Sequence, residues 1–569
     1  MVANLTLSLF LSFAVFNGSE IKADNAPATT TVTVSNGAPS FTTAPHEDPT
    51  SDGTTPTNVG SNVVIKATAT EGTGDNWYLA ICKGNNITPV NGDAPTCPDG
   101  AWDISDAASS TAEATATYTV TTGETNQTYA WYAFACDDNA GTAMCSSMDN
   151  SGTSGGNGSP FSVNHRPTFT AVGNDGPGNP GAADLTVTAT TYDDDDDDGA
   201  QDTVSLFVCK SSGFTGSACT GDQWCTTAGV TPTVTLACDL TIPDPQAHGT
   251  MDYWAYIVDS HGFVATGGKQ GSAETFTVSN VAPSVSGTPT LNGTADIDLT
   301  SEKSTTNIVI TGIGTNDNGC GDMDAAATFA NAWLTSLGGA SCTDNTNPNK
   351  CYFHATCTQT GANACEGGID KDATYTCTVA FQYYSNPTDA NTPWTATSWT
   401  ATFIPGDGAG ASASTANSGI QEMNSYLAMA LTTDYDAIAY GSVSAGGKVD
   451  PLVEKLRVEA AGNVSIDLTT AGTDMSKSGA SIGKEYQRYE INAAEGGHDW
   501  ADGEILSDTP AATNINVCKS GYSPTLAWKP MYWGIEIPAG QAAGSYTGTN
   551  TLTAVKNTYG GADEWCETL

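Results

Sequence analysis

A short run of alternating residues ending in proline is written three times along the chain. The copies are Thr31-Val32-Thr33-Val34-Ser35-Asn36-Gly37-Ala38-Pro39, Phe161-Ser162-Val163-Asn164-His165-Arg166-Pro167 and Phe276-Thr277-Val278-Ser279-Asn280-Val281-Ala282-Pro283. Behind each comes a second alternating run: Asn62–Thr70, Asp184–Thr190 and Asn307–Ile313. A period of two places successive side chains on opposite faces of a strand, so these phrases predict repeated β domains. Long stretches of apolar period 3.6 are almost missing, and the short β-branched or aromatic runs sit between Gly, Asn and Asp turns. The fold class expected is all-β.

The first two units continue with a strand that ends in Cys-Lys, Trp77–Lys83 and Val204–Lys210. An aromatic strand follows, Tyr129–Asp138 and Tyr253–Ser260, and in the third unit Tyr375–Phe381 is the expected counterpart. Aromatic residues alternating on such a strand would fill the space between two sheets before an Asp-containing turn leads to the closing strand. With these residues, 37–405 resembles the tandem immunoglobulin-like repeats, including the PKD type, of prokaryotic extracellular surface proteins. The resemblance implies β-sandwiches and leaves adhesion, spacing, assembly and sugar binding all open.

At about 100–200 residues per domain, 569 residues hold three to five domains. The expected plan is an N-terminal apolar segment plus orphan strand (1–36), sandwiches at 37–165, 166–281 and 282–405, a flexible linker at 406–419, and a C-terminal β-sandwich domain at 420–569. The linker reads PGDGAGASASTANSG from Pro405, a flexible composition. Beyond it, Ile438–Val443, Leu456–Val464 and Tyr532–Pro538 are expected strands. The ending Ala539–Thr549 resembles the closing hairpin of an assembly domain found near the C-terminus of prokaryotic surface proteins.

The 16 cysteines fall into even local sets: Cys82, Cys97, Cys136 and Cys145; Cys209, Cys219, Cys225 and Cys238; Cys320, Cys342, Cys351, Cys357, Cys365 and Cys377; and the distant pair Cys518 and Cys566. With no C-x-x-C among them, zinc ribbons and thioredoxin chemistry lose their usual signature, and disulfides in an oxidising, extracellular setting are expected. Neighbours such as Cys82 with Cys97 and Cys136 with Cys145 are the simplest pairs. Seven Asn-x-Ser/Thr sequons, at Asn4, Asn17, Asn86, Asn126, Asn157, Asn292 and Asn463, fit a secreted chain carrying glycans.

A net charge of −44 opposes binding to nucleic-acid backbones or anionic membranes. Nine of the 18 basic residues lie at or beyond Lys448, which gives an acidic front and a mixed rear. The run Asp193, Asp194, Asp195, Asp196, Asp197 and Asp198, with Asp317, Asp322 and Asp324 in the corresponding loop of the third unit, marks two candidate calcium loops. Crowded carboxylates repel one another and a hard cation relieves them; the plain alternative is a solvated acidic loop. Trp394, Trp399, Trp500 and Trp533 are candidate sugar platforms, against the commoner fate of core packing. No nucleophile elbow or phosphate loop sits in a strand-to-helix context, so no enzyme is expected.

Residues Leu5–Phe16 are apolar enough for a signal-peptide core and too short to span a bilayer as a helix, yet their alternation equally suits a strand. The first repeated phrase, Thr29, Thr30, Thr31, Val32, Thr33, Val34, Ser35 and Asn36, then reads as a closing strand without a domain of its own. Such a strand can fill the open edge of another subunit. The expected function is therefore a structural subunit of an extracellular homopolymer (a filament, sheath or surface layer), assembled head to tail with strand donation. The rival is an adhesin or carbohydrate-binding stalk.

Overall fold

The computed structural model describes residues 31–153, 157–193, 195, 202–231, 235–360, 365, 370–409, 414–491, 498–521 and 528–557. By internal contacts the chain forms two units, one running to Arg166 together with 194–202, and one comprising 167–193 and everything from Thr203 onward. Both are β throughout, so the all-β expectation holds. Within the described residues, no helix is long and apolar enough to cross a membrane.

In the first unit, strand Asn62–Thr70 lies between Ser40–Glu47 and Glu113–Thr119, and a second sheet sets Trp77–Cys82 between Tyr132–Asp137 and Ala101–Ile104. Asn62–Thr70 buries every second residue, and Val63, Ile65 and Ala67 meet Trp77, Trp131 and Phe161 between the sheets. The strand positions its outward Lys66 opposite Asp48, at 2.7 Å.

One charge goes inward. Glu47 is 1% exposed, and its carboxylate accepts the Trp131 indole N–H and the Ser51 amide, both at 2.8 Å. Burial pushes its pKa from 4.5 to about 7, against the pull of those two donors, which favour the ionised form. A carboxyl whose folded pKa is raised contributes stability that is whole below the unfolded value and is lost as pH rises through the folded one. The first sandwich is therefore expected to lose up to about 3 kcal/mol between pH 4.5 and 7 from this group. Urea titrations across that window should show the slope, and Glu47→Gln should flatten it; an unchanged slope in the variant would assign it elsewhere.

In the second unit the same plan recurs. Leu185–Tyr192 lies between Thr168–Asn174 and Leu236–Leu240, facing a sheet ordered Gln223–Thr226, Val204–Cys209, Gly249–Asp259 and Ala273–Val278. In the third sandwich the strands form one continuous seven-stranded sheet: Ser284–Leu291, Thr305–Thr315, Asp372–Gln382, Cys351–Gln359, Phe329–Leu334, Trp399–Ile404 and Ala416–Asn417. It folds over at Cys351–Gln359, which pairs with both halves across a bulge where His354 takes a φ of 61°.

This register corrects two expectations. Tyr375–Phe381 pairs along Thr305–Thr315, the place that Glu113–Thr119 and Leu236–Leu240 hold in the other sandwiches. The aromatic strand of the third sandwich is Trp399–Ile404, which ends in Pro405-Gly406-Asp407. The described parts of the expected linker 406–419, 406–409 and 414–419, therefore belong to the sandwich: Asn417 and Ala416 pair with Thr402 and Phe403, and Asp407 is 1% exposed. Small residues read as flexible because they carry little side-chain information, whereas main-chain pairing does not need it.

The C-terminal part has a five-stranded sheet, Met429–Asp436, Val453–Ala460, Trp528–Ile535, Gln487–Glu490 and Glu504–Ile505, and a three-stranded one, Ala511–Ala512, Ile466–Gly472 and Asn550–Lys556. Expected strands around Leu456 and Tyr532 are present, but Ile438–Val443 forms none. This part is joined tightly to the third sandwich. Trp394, which precedes strand Trp399–Ile404, belongs to the C-terminal core beside Leu456, Val458 and Trp533. Lys519, 4% exposed, sends its ammonium to Asn349 Oδ1 and the Tyr384 carbonyl, both at 2.7 Å.

Candidate assembly site

An aspartate that turns inward ends the aromatic strand of the first two sandwiches and follows that of the third by three residues. Asp137 Oδ1 accepts the amides of Asn139 and Met144, Asp259 Oδ1 those of His261 and Phe263, and Asp407 Oδ1 that of Ala409. A carboxylate that accepts main-chain N–H groups a few residues on fixes the turn. It also leaves a second oxygen to hold something else.

What Asp407 holds is the chain arriving from the second sandwich. Asn280, just past the closing strand Ala273–Val278, donates from Nδ2 to Asp407 Oδ2 at 2.9 Å. The next amide, Val281 N–H, donates to Asn318 Oδ1 at 2.5 Å, and Asn318 Nδ2 returns to the carbonyls of Ser279 and Gln246. The second sandwich is thus fastened to the third through one asparagine–aspartate bond and one asparagine that grips both sides.

The same fastening occurs at Asn36. Its Nδ2 donates to Asp137 Oδ2 at 2.9 Å and to the Thr142 carbonyl at 2.7 Å, while Oδ1 accepts the Thr73 hydroxyl at 3.0 Å. Residues Val32-Thr33-Val34-Ser35-Asn36 match Phe276-Thr277-Val278-Ser279-Asn280 position for position. Phe276 and Val278 are 2% and 1% exposed in the core of their own sandwich. Val32 and Val34 are 81% and 79% exposed, and Thr31–Asn36 pairs with no strand among the described residues. Thr29 and Thr30 lie outside the described residues, as does Leu5–Phe16.

The residues expected to hold calcium also meet protein groups. In the third sandwich Asp317 meets Lys371 at 2.5 Å, Asp322 meets His248 at 2.7 Å, and Asp324 accepts the Ala326 amide. Lys371 also reaches Asp244 at 2.9 Å, and the bonds to Asp317 and Asp244 raise its pKa. Lys371 with Asp317 and Asp244, and Asp322 with His248, form a set of ties between the second and third sandwiches. In the other loop Asp195 is buried in the first unit, where it takes the His165 amide and, at 2.8 Å, His165 Nδ1; His165 Nε2 faces the Glu124 carbonyl at 2.7 Å. Asp193 is 1% exposed in the second unit. Asp194, Asp196, Asp197 and Asp198 lie outside the described residues.

Among the described residues seven disulfides close: Cys82–Cys97, Cys136–Cys145, Cys209–Cys219, Cys225–Cys238, Cys320–Cys365, Cys342–Cys351 and Cys357–Cys377. Cys566, half of the distant pair with Cys518, lies outside the described residues. Among the sequons, Asn86 and Asn126 are exposed, and Asn157 and Asn292 are half-buried. Asn463 is 0% exposed with both ends of its amide bonded, to the Tyr426 amide and the Asn424 carbonyl, which rules it out as a glycan acceptor in the folded chain. Asn4 and Asn17 lie outside the described residues. Trp394, Trp399 and Trp533 are buried and cannot be sugar platforms; Trp500 stacks under Arg488 at 5.2 Å.

No family model matches this chain, and no curated protein matches it. Among solved structures it is similar to a marsupial T cell receptor (10% identity, TM-score 0.22, covering 61% of this chain and 93% of that one). It is also similar to a putative membrane anchored protein from Corynebacterium diphtheriae (11%, TM-score 0.15, 64% and 87%) and to a 1.5-MDa bacterial ice-binding adhesin (16%, TM-score 0.17, 64% and 94%). At such TM-scores these likenesses carry no weight for function. From its strand order, the chain is a tandem array of immunoglobulin-like β-sandwiches with a distinct β domain at its C-terminal end.

Proposed function

We propose that this protein is the repeating subunit of an extracellular surface polymer, built head to tail by strand donation. The observation that carries the reading is the Asn36 fastening. A connector that leaves one sandwich and enters the next is held by asparagine to aspartate at Asn280–Asp407, and Asn36–Asp137 repeats that arrangement behind a segment whose two valines face solvent. An extended segment with unmet main-chain groups and exposed alternate apolar residues is suited to complete a sheet in another chain. The seven disulfides fit an oxidising compartment outside the cell, and the prokaryotic surface-repeat resemblance of residues 37–405 belongs with this reading. Glycans on Asn86 and Asn126 would coat the first sandwich.

Deleting residues 1–36 should leave the described sandwiches folded and abolish regular filaments or sheets in electron micrographs of concentrated protein. The calcium expected for the acidic loop at 193–198 can be tested in the same preparation, where chelation should shorten or loosen the polymer. Unchanged filaments after the deletion would remove strand donation from the account.

A further inference from the structure

The geometry points to the acceptor: the slot between strands Met429–Asp436 and Asn550–Lys556 of the C-terminal domain receives Thr29–Asn36 of a second copy, seating Val32 and Val34. This inference rests on the strand-donation reading and gives its partner an address.

Among the described residues, each sheet of the C-terminal domain has a free edge on this side. Met429–Asp436 is the last strand of the five-stranded sheet, and Asn550–Lys556 is the last of the three-stranded one. Between them opens a cavity of about 220 Å³, bordered by Leu431 and Ile438 on one lip and Leu552 on the other; it adjoins a second of about 560 Å³ through their shared Tyr440 and Met475. Leu431, Ile438, Tyr440 and Leu552 pack against the core but stay only partly buried. A sandwich that leaves half-buried apolar residues along two unpaired edges has room for one more strand between them.

Polar groups in the slot also await a partner. Gln487 is 1% exposed; its Oε1 accepts the Tyr440 hydroxyl and Asn550 Nδ2, each at 3.0 Å, while its Nε2 has no hydrogen-bond partner. Asn550 Oδ1 is likewise buried with none. One lacks an acceptor and the other a donor, and the main chain of an inserted strand offers both.

The occupant follows from the walls. In a chain of net charge −44, residues Asn25–Gly37 contain no charged side chain, so burying them in a slot lined by Leu431, Ile438 and Leu552 beside Asp436, Gln487 and Asn550 desolvates no charge of the strand. The free edge Asn550–Lys556 is seven residues long, enough to pair along most of the eight residues Thr29–Asn36. In the second sandwich Phe276 and Val278 are buried four and two residues ahead of the fastening asparagine, and Val32 and Val34 stand at the same spacing ahead of Asn36. Insertion would therefore set the donor's first sandwich behind the acceptor's C-terminal domain with the connector length already used between the second and third sandwiches.

Two full-length variants test this. Val32→Asp with Val34→Asp disables the strand, and Ile438→Lys with Leu552→Lys disables the slot. In analytical ultracentrifugation each alone should be monomeric where the unaltered chain polymerises, with self-association weakened about 100-fold or more, the loss expected for two buried valines. Mixed one to one, they should form a heterodimer and stop, because the intact slot of the first takes the intact strand of the second. That mixture also controls for folding, since a misfolded variant cannot cap its partner. If the slot variant polymerises normally while the strand variant does not, the acceptor lies elsewhere and this inference fails while strand donation stands. If the strand variant polymerises, both fail. A mixture that stays monomeric overturns the slot assignment.

Discussion

Mild reduction is expected to unfold the third sandwich ahead of the other two. Its three disulfides span 45, 9 and 20 residues of sequence, and the chain-entropy relation assigns them roughly 4, 3 and 3 kcal/mol. Their sum, about 10 kcal/mol, is comparable with the whole stability of an ordinary domain. The first sandwich has bridges spanning 15 and 9 residues and the second 10 and 13, which give about 5–6 kcal/mol each. Cys357–Cys377 adds a second effect because its cysteines are direct partners across the pair Cys351–Gln359 and Asp372–Gln382, where the folded sheet turns over. Hydrogen exchange with and without a phosphine reductant should show protection lost first in Thr305–Thr315 and Asp372–Gln382. Simultaneous loss in all three sandwiches, or none, would contradict this order.

Trp394→Ala is expected to cost the C-terminal domain about 3–5 kcal/mol, the usual range for an aromatic side chain removed from a closed core, and to lower its melting temperature by roughly 10 °C. The indole is 4% exposed and packs in a core whose other members all come from beyond Leu431, although its own chain segment belongs to the third sandwich. The substitution should therefore also loosen the coupling between the two. Calorimetry should show one merged transition in the unaltered chain and two in the variant. Trp394→Phe should restore most of the merging by refilling the cavity. If the alanine variant melts within about 2 °C of the unaltered chain, the two parts do not share that core.

Much of this arrangement was legible in the residues. The three early strands Asn62–Thr70, Leu185–Tyr192 and Thr305–Thr315 occupy one position in three sandwiches, because alternation fixes which face is buried. The short-range cysteine pairs 82–97 and 136–145 close, since a loop of about ten to fifteen residues brings its ends together at little entropic cost. Misreadings arose where one pattern serves two places. Tyr375–Phe381 and Trp399–Phe403 both alternate with aromatics, and only hydrogen-bond register shows which of them runs beside Phe329–Leu334. The protein partners of Asp317, Asp322 and Asp324, namely Lys371, His248 and the Ala326 amide, are not marked as such in the local sequence. Asn463 met the glycosylation motif, but the motif carries no information about burial.

By itself, the sequence determined an all-β chain of repeated sandwiches and showed that Val32 and Val34 repeat the phrase that closes the later ones. These properties are periodic and local, and the β backbone converts period into face without help from distant residues. Only the tertiary structure decided that Asn36 grips Asp137 as Asn280 grips Asp407, that the supposed linker completes a sandwich, and that Ile438, Leu552 and Gln487 line one open slot. Most of these join residues scores of positions apart, and such contacts are set by which edges and core faces remain unsatisfied once the sheets have formed.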